Sequence, residues 1–359
     1  MQPLIFSQHT DSEWLSISIA KLSIPALPEW EKALWRFILD WYSPRPFITV
    51  YTSGSTGAPK ELQVSKEMMR VSAGKTLRFF NLKPSDSALL CLSANYIAGK
   101  MMIVRAIIGG LHLYVTEPSG MPLKNIDGRF SFAAMVPMQV FEQLKTPGSL
   151  NSIEKLIVGG GAVSAKLSDG LQGCTCAVYE SYGMTETVSH IALRRINGEG
   201  AGQAFVPMPR VLVSVDDKER LVIDAPDLLP QPIVTNDRGR MYPDGSFSIV
   251  GRIDNVINSG GIKIQPEEVE RQIASFFHAG FAISSVPDSK MGQRLVLVAE
   301  QELTDQQVAS LNKLLCDPYH RVHLYFTLRH LPQTDTHKLD RPALKLFLLE
   351  HLSFIKKMG

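Results

Sequence analysis

The sequence predicts an α/β protein: a large N-terminal domain with mostly parallel sheets and a small β-rich unit, followed by a small α+β C-terminal domain. Between residues 86 and 180, short apolar runs alternate with helical segments, the pattern of strands joined by crossover helices. Residues 205–250 change to closely spaced strands joined by tight turns. After residue 254 a short mixed α+β pattern begins, so the expected domains are 1–253 and 254–359.

Taken in order, residues 1–46 read as an irregular lead-in plus a helix from Trp30 to Trp41, closed by Ser43-Pro44-Arg45-Pro46. The β-branched run Phe47-Ile48-Thr49-Val50-Tyr51 reads as a strand ending in a Gly/Ser/Thr loop, with a helix from about Ser65 to Phe80. The alternating region offers strands Ala88–Leu92, Leu111–Val115, Phe132–Val136 and Lys155–Val158. The β-rich unit offers Val211–Val215, Leu221–Ile223 and Phe247–Val250, with a turn at Pro243-Asp244-Gly245. The last region offers helix Pro266–Phe277, strands Gly280–Val286 and Arg294–Gln301, helix Asp305–Leu315, strand His323–Leu328 and a helix from Arg341.

Composition narrows the function classes. Apolar residues make up 45% and charged residues 20%, ordinary for a globular chain. A net charge of +2 gives no electrostatic case for nucleic acid or an anionic membrane. Cys91, Cys174, Cys176 and Cys316 match no zinc or redox spacing and read as reduced thiols. Residues Met1 to Trp14 lack an apolar signal core, and Met101 to Val115 is too short to span a bilayer. A cytoplasmic enzyme with no membrane anchor is expected.

Chemistry first appears in Tyr51-Thr52-Ser53-Gly54-Ser55-Thr56-Gly57-Ala58-Pro59-Lys60. Small residues let backbone N–H groups close on an anion, hydroxyls add donors, and Lys60 adds a mobile positive charge. Placed between a strand and a helix, such a loop suits phosphate. It is not a Walker A loop, because only two residues separate Gly54 and Gly57. The string resembles the phosphate loop of the adenylate-forming superfamily, which comprises acyl-CoA synthetases, peptide-synthetase adenylation domains and luciferases.

Further blocks follow in that superfamily's order. Tyr179-Glu180-Ser181-Tyr182-Gly183-Met184-Thr185-Glu186-Thr187 resembles the next signature. It implies that Tyr182 offers a face to adenine, Thr185 bonds the α-phosphate and Glu186 holds Mg²⁺. Read without the resemblance, Thr185 could instead cap a helix. Asn236-Asp237-Arg238-Gly239 and Gly251-Arg252-Ile253-Asp254 resemble the third block. By that resemblance Asp237 grips the ribose hydroxyls, Arg252 lies near ribose and phosphate, and Asp254 is the hinge of a mobile C-terminal domain. Ser259-Gly260-Gly261-Ile262-Lys263 resembles the segment that enters for thioester formation, Lys263 being a weaker candidate there. Lys338, in Pro332-Gln333-Thr334-Asp335-Thr336-His337-Lys338, matches the lysine of the adenylation step, with His337 in place of the usual glycine.

The resemblance implies an ATP- and Mg²⁺-dependent enzyme that activates a carboxylic acid as an acyl-adenylate and passes it to coenzyme A. Within the superfamily, Ile97-Ala98-Gly99-Lys100-Met101-Met102-Ile103-Val104-Arg105 and Thr185-Glu186-Thr187-Val188-Ser189-His190 resemble the o-succinylbenzoate–CoA ligases of menaquinone biosynthesis. This implies Arg105 as partner of the acid's second carboxylate, with Ser189, His190, Gly160 and Gly161 lining the pocket. From the residues alone, a charge in so apolar a stretch is either substrate-facing or held in an internal ion pair. Asn95-Tyr96 stands where these ligases carry histidine. The resemblance spans about residues 45–350, with the front shorter than the superfamily's usual subdomain; a homodimer would cover the surface this leaves. The alternatives are another aryl- or acyl-CoA ligase, a stand-alone adenylation enzyme loading a carrier thiol, or an inactive adenylate-binding protein.

Overall fold

The computed structural model describes residues 2–52, 60–315, 317–334 and 338–357. In chain order the first elements are strand Leu4–Ile5 (β1), helices Asp11–Leu22 (α1) and Glu29–Tyr42 (α2), strands Phe47–Thr52 (β2) and Lys60–Ser65 (β3), and helix Lys66–Phe79 (α3). Strand Ser87–Leu90 (β4), helix Ile97–Gly109 (α4) and strands His112–Val115 (β5) and Phe130–Met135 (β6) follow. Then come helix Pro137–Leu144 (α5), strand Ile153–Val158 (β7), helix Ala165–Leu171 (α6), and strands Ala177–Gly183 (β8), His190–Arg195 (β9) and Val206–Pro207 (β10).

These strands, β2 and β3 apart, form one sheet in the order β1-β5-β4-β6-β7-β8-β9-β10. Pairing is parallel from β5 through β8 and antiparallel at both flanks. The parallel strands are covered on both faces. Ala88, Leu90, Phe132, Ala134 and Ile157 pack on one side with α2, α3 and α4; Leu89, Ala133, Met135, Leu156 and Val158 pack on the other with α5 and α6. Strand residues thus alternate between two cores, as a period of two requires. The order reverses between β4 and β6, and in open α/β sheets the crevice beyond the strand ends at such a reversal receives ligands.

Strands Leu212–Val215 (β11), Arg220–Asp224 (β12), Ile233–Met241 (β13) and Phe247–Arg252 (β14) make the small antiparallel unit. Beyond it lie strands Ile257–Ser259 (β15) and Ile262–Ile264 (β16), helix Pro266–Ile273 (α7), strands Phe281–Asp288 (β17) and Gly292–Ala299 (β18), helix Asp305–Leu314 (α8), strand Leu324–Thr327 (β19), helix Arg341–Glu350 (α9) and strand Lys356–Lys357 (β20). Two further cores, spanning Ile257 to Leu348, belong to this region. The α/β class with its β-rich unit and α+β tail is therefore what the chain adopts.

Two expectations are corrected. The lead-in is not irregular: α1 forms behind a capping box between Thr10 and Glu13, and β1 pairs with β5. Helix α2 seats Phe37 and Trp41 against Lys100 of α4 and Arg70 of α3, so residues 1–46 cover part of the α3–α4 layer. Second, the Gly/Ser/Thr loop does not join a strand to a helix. β3 intervenes, pairing with β2 in full antiparallel register from Phe47↔Ser65 to Thr52↔Lys60, so the chain before and after the loop is strand on both sides. Among the described residues, no helix is long and apolar enough to cross a membrane.

Candidate active site

Strand β8 delivers the first cluster. It ends at Gly183, where a Cβ would strike the backbone of Ser189 and lie 2.7 Å from the Cα of His190. Only glycine lets the chain fold back so closely. The intervening residues form a tight turn, not a helix, which removes the reading of Thr185 as a helix cap. Buried Thr187 ties the turn together: its Oγ1 accepts from the Met184 N–H at 3.0 Å and donates to the Ser189 carbonyl at 2.8 Å. Val188 adopts φ 69°, a costly angle for a β-branched residue, and local strain of this kind persists only where packing enforces it. The turn leaves Thr185 half-buried and Glu186 exposed.

The second cluster joins β8 to the β-rich unit. The Tyr182 hydroxyl donates to Asp237 Oδ2 at 2.8 Å. Burial, then the Asp237 carboxylate, raises the phenol's pKa, so it stays a donor. Its ring packs against Phe205 and Phe247 and is 8% exposed; the geometry gives Tyr182 a hold on Asp237 and leaves little of its face open. Arg252 spans two carboxylates, Asp237 Oδ1 at 3.4 Å and Asp254 Oδ2 at 3.0 Å, and the Asn236 amide donates to the same Asp254 oxygen at 3.1 Å. Antiparallel pairing sets Asp237 opposite Arg252, which is why two residues fifteen apart in sequence meet.

Lys338 comes to this cluster from the last region. Gln333 bridges Leu339, the Thr334 N–H donates to the Lys338 carbonyl at 2.8 Å, and the Lys338 N–H donates to Thr334 Oγ1 at 3.2 Å. The ammonium keeps an open face, yet its pKa is lowered, first by desolvation and then by the Arg252 charge, with Asp237 opposing. Two cations thus lie within electrostatic reach of one carboxylate, an arrangement that attracts an anion. His337 lies outside the described residues, as do Ser53, Gly54, Ser55, Thr56 and Gly57; of Thr52 and Lys60 the backbone alone is described.

The third cluster is buried between α3, α4 and β9. Arg105 is 3% exposed. Its Nη2 donates to Ser189 Oγ at 2.7 Å, its Nη1 faces the Met102 sulfur at 3.7 Å, and its Nε has no partner among the described residues. No carboxylate among the described residues pairs with it, so the internal ion pair is not what the fold builds. Desolvation lowers its pKa to about 10, far above neutrality, so it remains charged. His190 is pushed down to about 3 by burial and then by Arg105, and is therefore neutral. Thr76 approaches His190 Nε2 at 3.3 Å, a partner the sequence reading missed because a helical threonine carries no local mark of function. Gly160, at φ 81°, and Gly161 form the loop after β7.

The Gly260-Gly261 turn, at φ 60° and 83°, closes the β15–β16 hairpin, with exposed Lys263 on its second strand. Among the described residues, no hydrogen bond or ion pair links these three to Asp237, Arg252 or the Thr185 turn. The site as folded gathers Lys338 with Asp237 and Arg252, and leaves the diglycine hairpin elsewhere.

Comparison with known proteins supplies the context. The AMP-binding enzyme family matches residues 40–227, just over half the chain. A 2-succinylbenzoate–CoA ligase of Escherichia coli is 29% identical over 85% of this chain and 70% of its own length. One from Salmonella typhimurium is 28% identical over 75% of this chain; of that relative's length the chain spans 61%. A solved Dyadobacter fermentans protein, described as acyl-CoA synthetase (AMP-forming)/AMP-acid ligase II-like, is 33% identical. That match covers 91% of this chain and 96% of the other, with a TM-score of 0.62.

Proposed function

The chain belongs to the AMP-binding enzyme family, and we propose that it is an ATP-dependent acid–CoA ligase whose acid carries a second carboxylate, o-succinylbenzoate being the candidate. The observation that carries the choice of acid is Arg105. A guanidinium buried without a carboxylate is costly unless an anion arrives to pair with it. A substrate carboxylate supplies that anion in the planar, two-point geometry that guanidinium favours. The relatives named as 2-succinylbenzoate–CoA ligases support the same acid.

The rest of the site supports the first half-reaction, in which the acid's reacting carboxylate attacks the ATP α-phosphate and pyrophosphate leaves. Both reactants are anions, so the barrier falls when fixed positive charge and donors surround them. Lys338 bridges carboxylate and α-phosphate in this reading, Arg252 adds charge, and Thr185 donates to phosphate. Asp237, steadied by Tyr182, accepts from the ribose hydroxyls. The loop 52–60, with Lys60, takes the outer phosphates. Glu186, exposed and at the same turn as Thr185, would hold Mg²⁺, which would neutralise phosphate charge.

For the second half-reaction we place the hinge at Asp254, between domains 1–253 and 254–359. Turning about it would withdraw Lys338 and bring the Gly260-Gly261 face and Lys263 to the acyl-adenylate for attack by the coenzyme A thiol. The compartment in this reading is the cytoplasm.

The test is pyrophosphate release with ATP, Mg²⁺ and coenzyme A, comparing o-succinylbenzoate, benzoate and a medium-chain fatty acid. Preference for o-succinylbenzoate is expected, and Arg105→Ala should erase that preference while sparing the monoacids. A variant that loses all three acids equally would make Arg105 a structural residue.

A further inference from the structure

The contacts of Thr76 run in one direction. Thr76 is fully buried on α3, and its hydroxyl donates to the Ser72 carbonyl one turn back, at 3.2 Å. With its proton used there, Oγ1 meets His190 Nε2, at 3.3 Å, only as an acceptor. The ring nitrogen facing it therefore carries the hydrogen. His190 is neutral, so its other nitrogen, Nδ1, is bare. Ser189 Oγ lies 3.4 Å from Nδ1 and must donate to it. The serine's lone pairs are then left for Arg105 Nη2, at 2.7 Å.

We infer that Thr76 is a positioning residue of the acid site: by accepting from His190 it fixes the imidazole tautomer, and through Ser189 it fixes how Arg105 presents its unused donors. The inference rests on the reading of Arg105 as the acid's anchor. In the opposite tautomer His190 would donate to Ser189, and the serine proton would be turned back toward the guanidinium or the incoming carboxylate. Thr76 would also have to leave Ser72 to donate to Nε2. The inferred arrangement keeps the Thr76 and Ser189 hydroxyl protons directed away from the cation. The Nε hydrogen, the Nη1 hydrogens and the second hydrogen of Nη2, which have no oxygen partner among the described residues, are the donors left for the acid.

The test uses the full chain labelled with ¹⁵N-histidine, the His190 signals being assigned by loss in His190→Gln. The shifts should report Nε2–H in the parent protein and in Thr76→Ser, which keeps the acceptor. In Thr76→Val, which removes it at nearly constant shape, the tautomer should change or mix. With o-succinylbenzoate, Thr76→Val should raise KM roughly 5- to 10-fold, as expected for one lost hydrogen bond, with kcat changed less than about twofold. Benzoate kinetics should not move, and Thr76→Ser should restore the parent KM. An Nδ1–H tautomer in the parent overturns the inference, and does so even if Thr76→Val fails to fold. It is equally overturned by a tautomer indifferent to Thr76→Val, or by KM values rising alike for both acids. If the parent turns over no diacid, the substrate reading falls, while the dependence of the tautomer on Thr76 still decides the relay.

Discussion

Lys338 and His190 show how much a single side chain's surroundings dictate. A lysine ordinarily loses its proton near pH 10.4, but desolvation and the Arg252 charge favour the neutral amine of Lys338. If the ammonium drives adenylate formation, that half-reaction should fall off on the alkaline side at a pH below the ordinary lysine range. Thioester formation from pre-made acyl-adenylate should not share that limb. Lys338→Arg, which cannot deprotonate there, should remove the limb even if it lowers the rate; a limb that persists would belong to another group. His190 makes a prediction about stability. Unfolded, it binds a proton near pH 6.5; folded, not until about 3. Between those values the unfolded chain holds the extra proton, so the stability from burying neutral His190 is complete above pH 6.5 and is lost as pH falls toward 3. Urea midpoints at pH 7 and pH 5 should therefore differ less in His190→Gln than in the parent. Asp237, Arg252, Lys338 and Arg105 could be marked from sequence because each sits in a contiguous signature. Thr76 could not: its partner is 114 residues away, and the one local fact about it, a hydroxyl inside a helix, has no functional meaning until β9 is folded against α3.

Among the elements, local patterning decided what could be read. Parallel strands β4 to β7 are short apolar runs bounded by breaks, and their positions were legible within a few residues; β8, whose run Ala177-Val178-Tyr179-Glu180-Ser181-Tyr182-Gly183 is interrupted by polar residues, was not legible as a strand. Helix α1 was not, because Leu15, Ile17 and Ile19 alternate like a strand; the usable signal was the capping pair Thr10 and Glu13. Strand β3 did carry its signature, the alternation Glu61-Leu62-Gln63-Val64, but the adjoining loop suggested a direct passage into helix α3. Close approach between elements left only a faint trace, as glycine. At Gly99, in the first turn of α4, a Cβ would collide with the Ser93 carbonyl and lie 2.6 Å from its carbon. That neighbour is backbone and cannot swing away, so Gly99→Ala must displace the helix that carries Arg105. Urea denaturation should show a loss of about 1–3 kcal/mol, in the range of overpacked sites. KM for o-succinylbenzoate should rise with it. A variant of parent stability would mean that the segment after β4 yields instead.

The molecule as a whole raises the question of how the last region is held. Its contacts with the β-rich unit are polar. Arg238 Nη1 donates to Gln265 Oε1 at 3.0 Å, Gln265 Nε2 donates to the Arg252 carbonyl at 2.9 Å, and Arg271 Nη2 donates to the Val250 carbonyl at 2.6 Å. Asn236 and Arg252 together fasten Asp254. A few hydrogen bonds, with no apolar core shared between Phe247 and Ile257, suit a surface that separates and re-forms. Gly251 lies at its centre, where a Cβ would press on Gln265 and sit 2.6 Å from Glu267 Oε2. Gln265 is 1% exposed and bonded at both ends of its amide, so it has no free direction in which to yield. Gly251→Ala should therefore disfavour the arrangement that sets Lys338 beside Asp237 and Arg252. If that arrangement serves adenylate formation and a turned one serves thioester formation, the substitution should act on one half-reaction. Pyrophosphate release should slow by roughly tenfold, equivalent to about 1.4 kcal/mol. Attack of coenzyme A on pre-made acyl-adenylate should keep its rate or gain, since the competing arrangement has been weakened. Equal slowing of both halves would mean that the two regions act as one rigid body, with both half-reactions run from the orientation seen here.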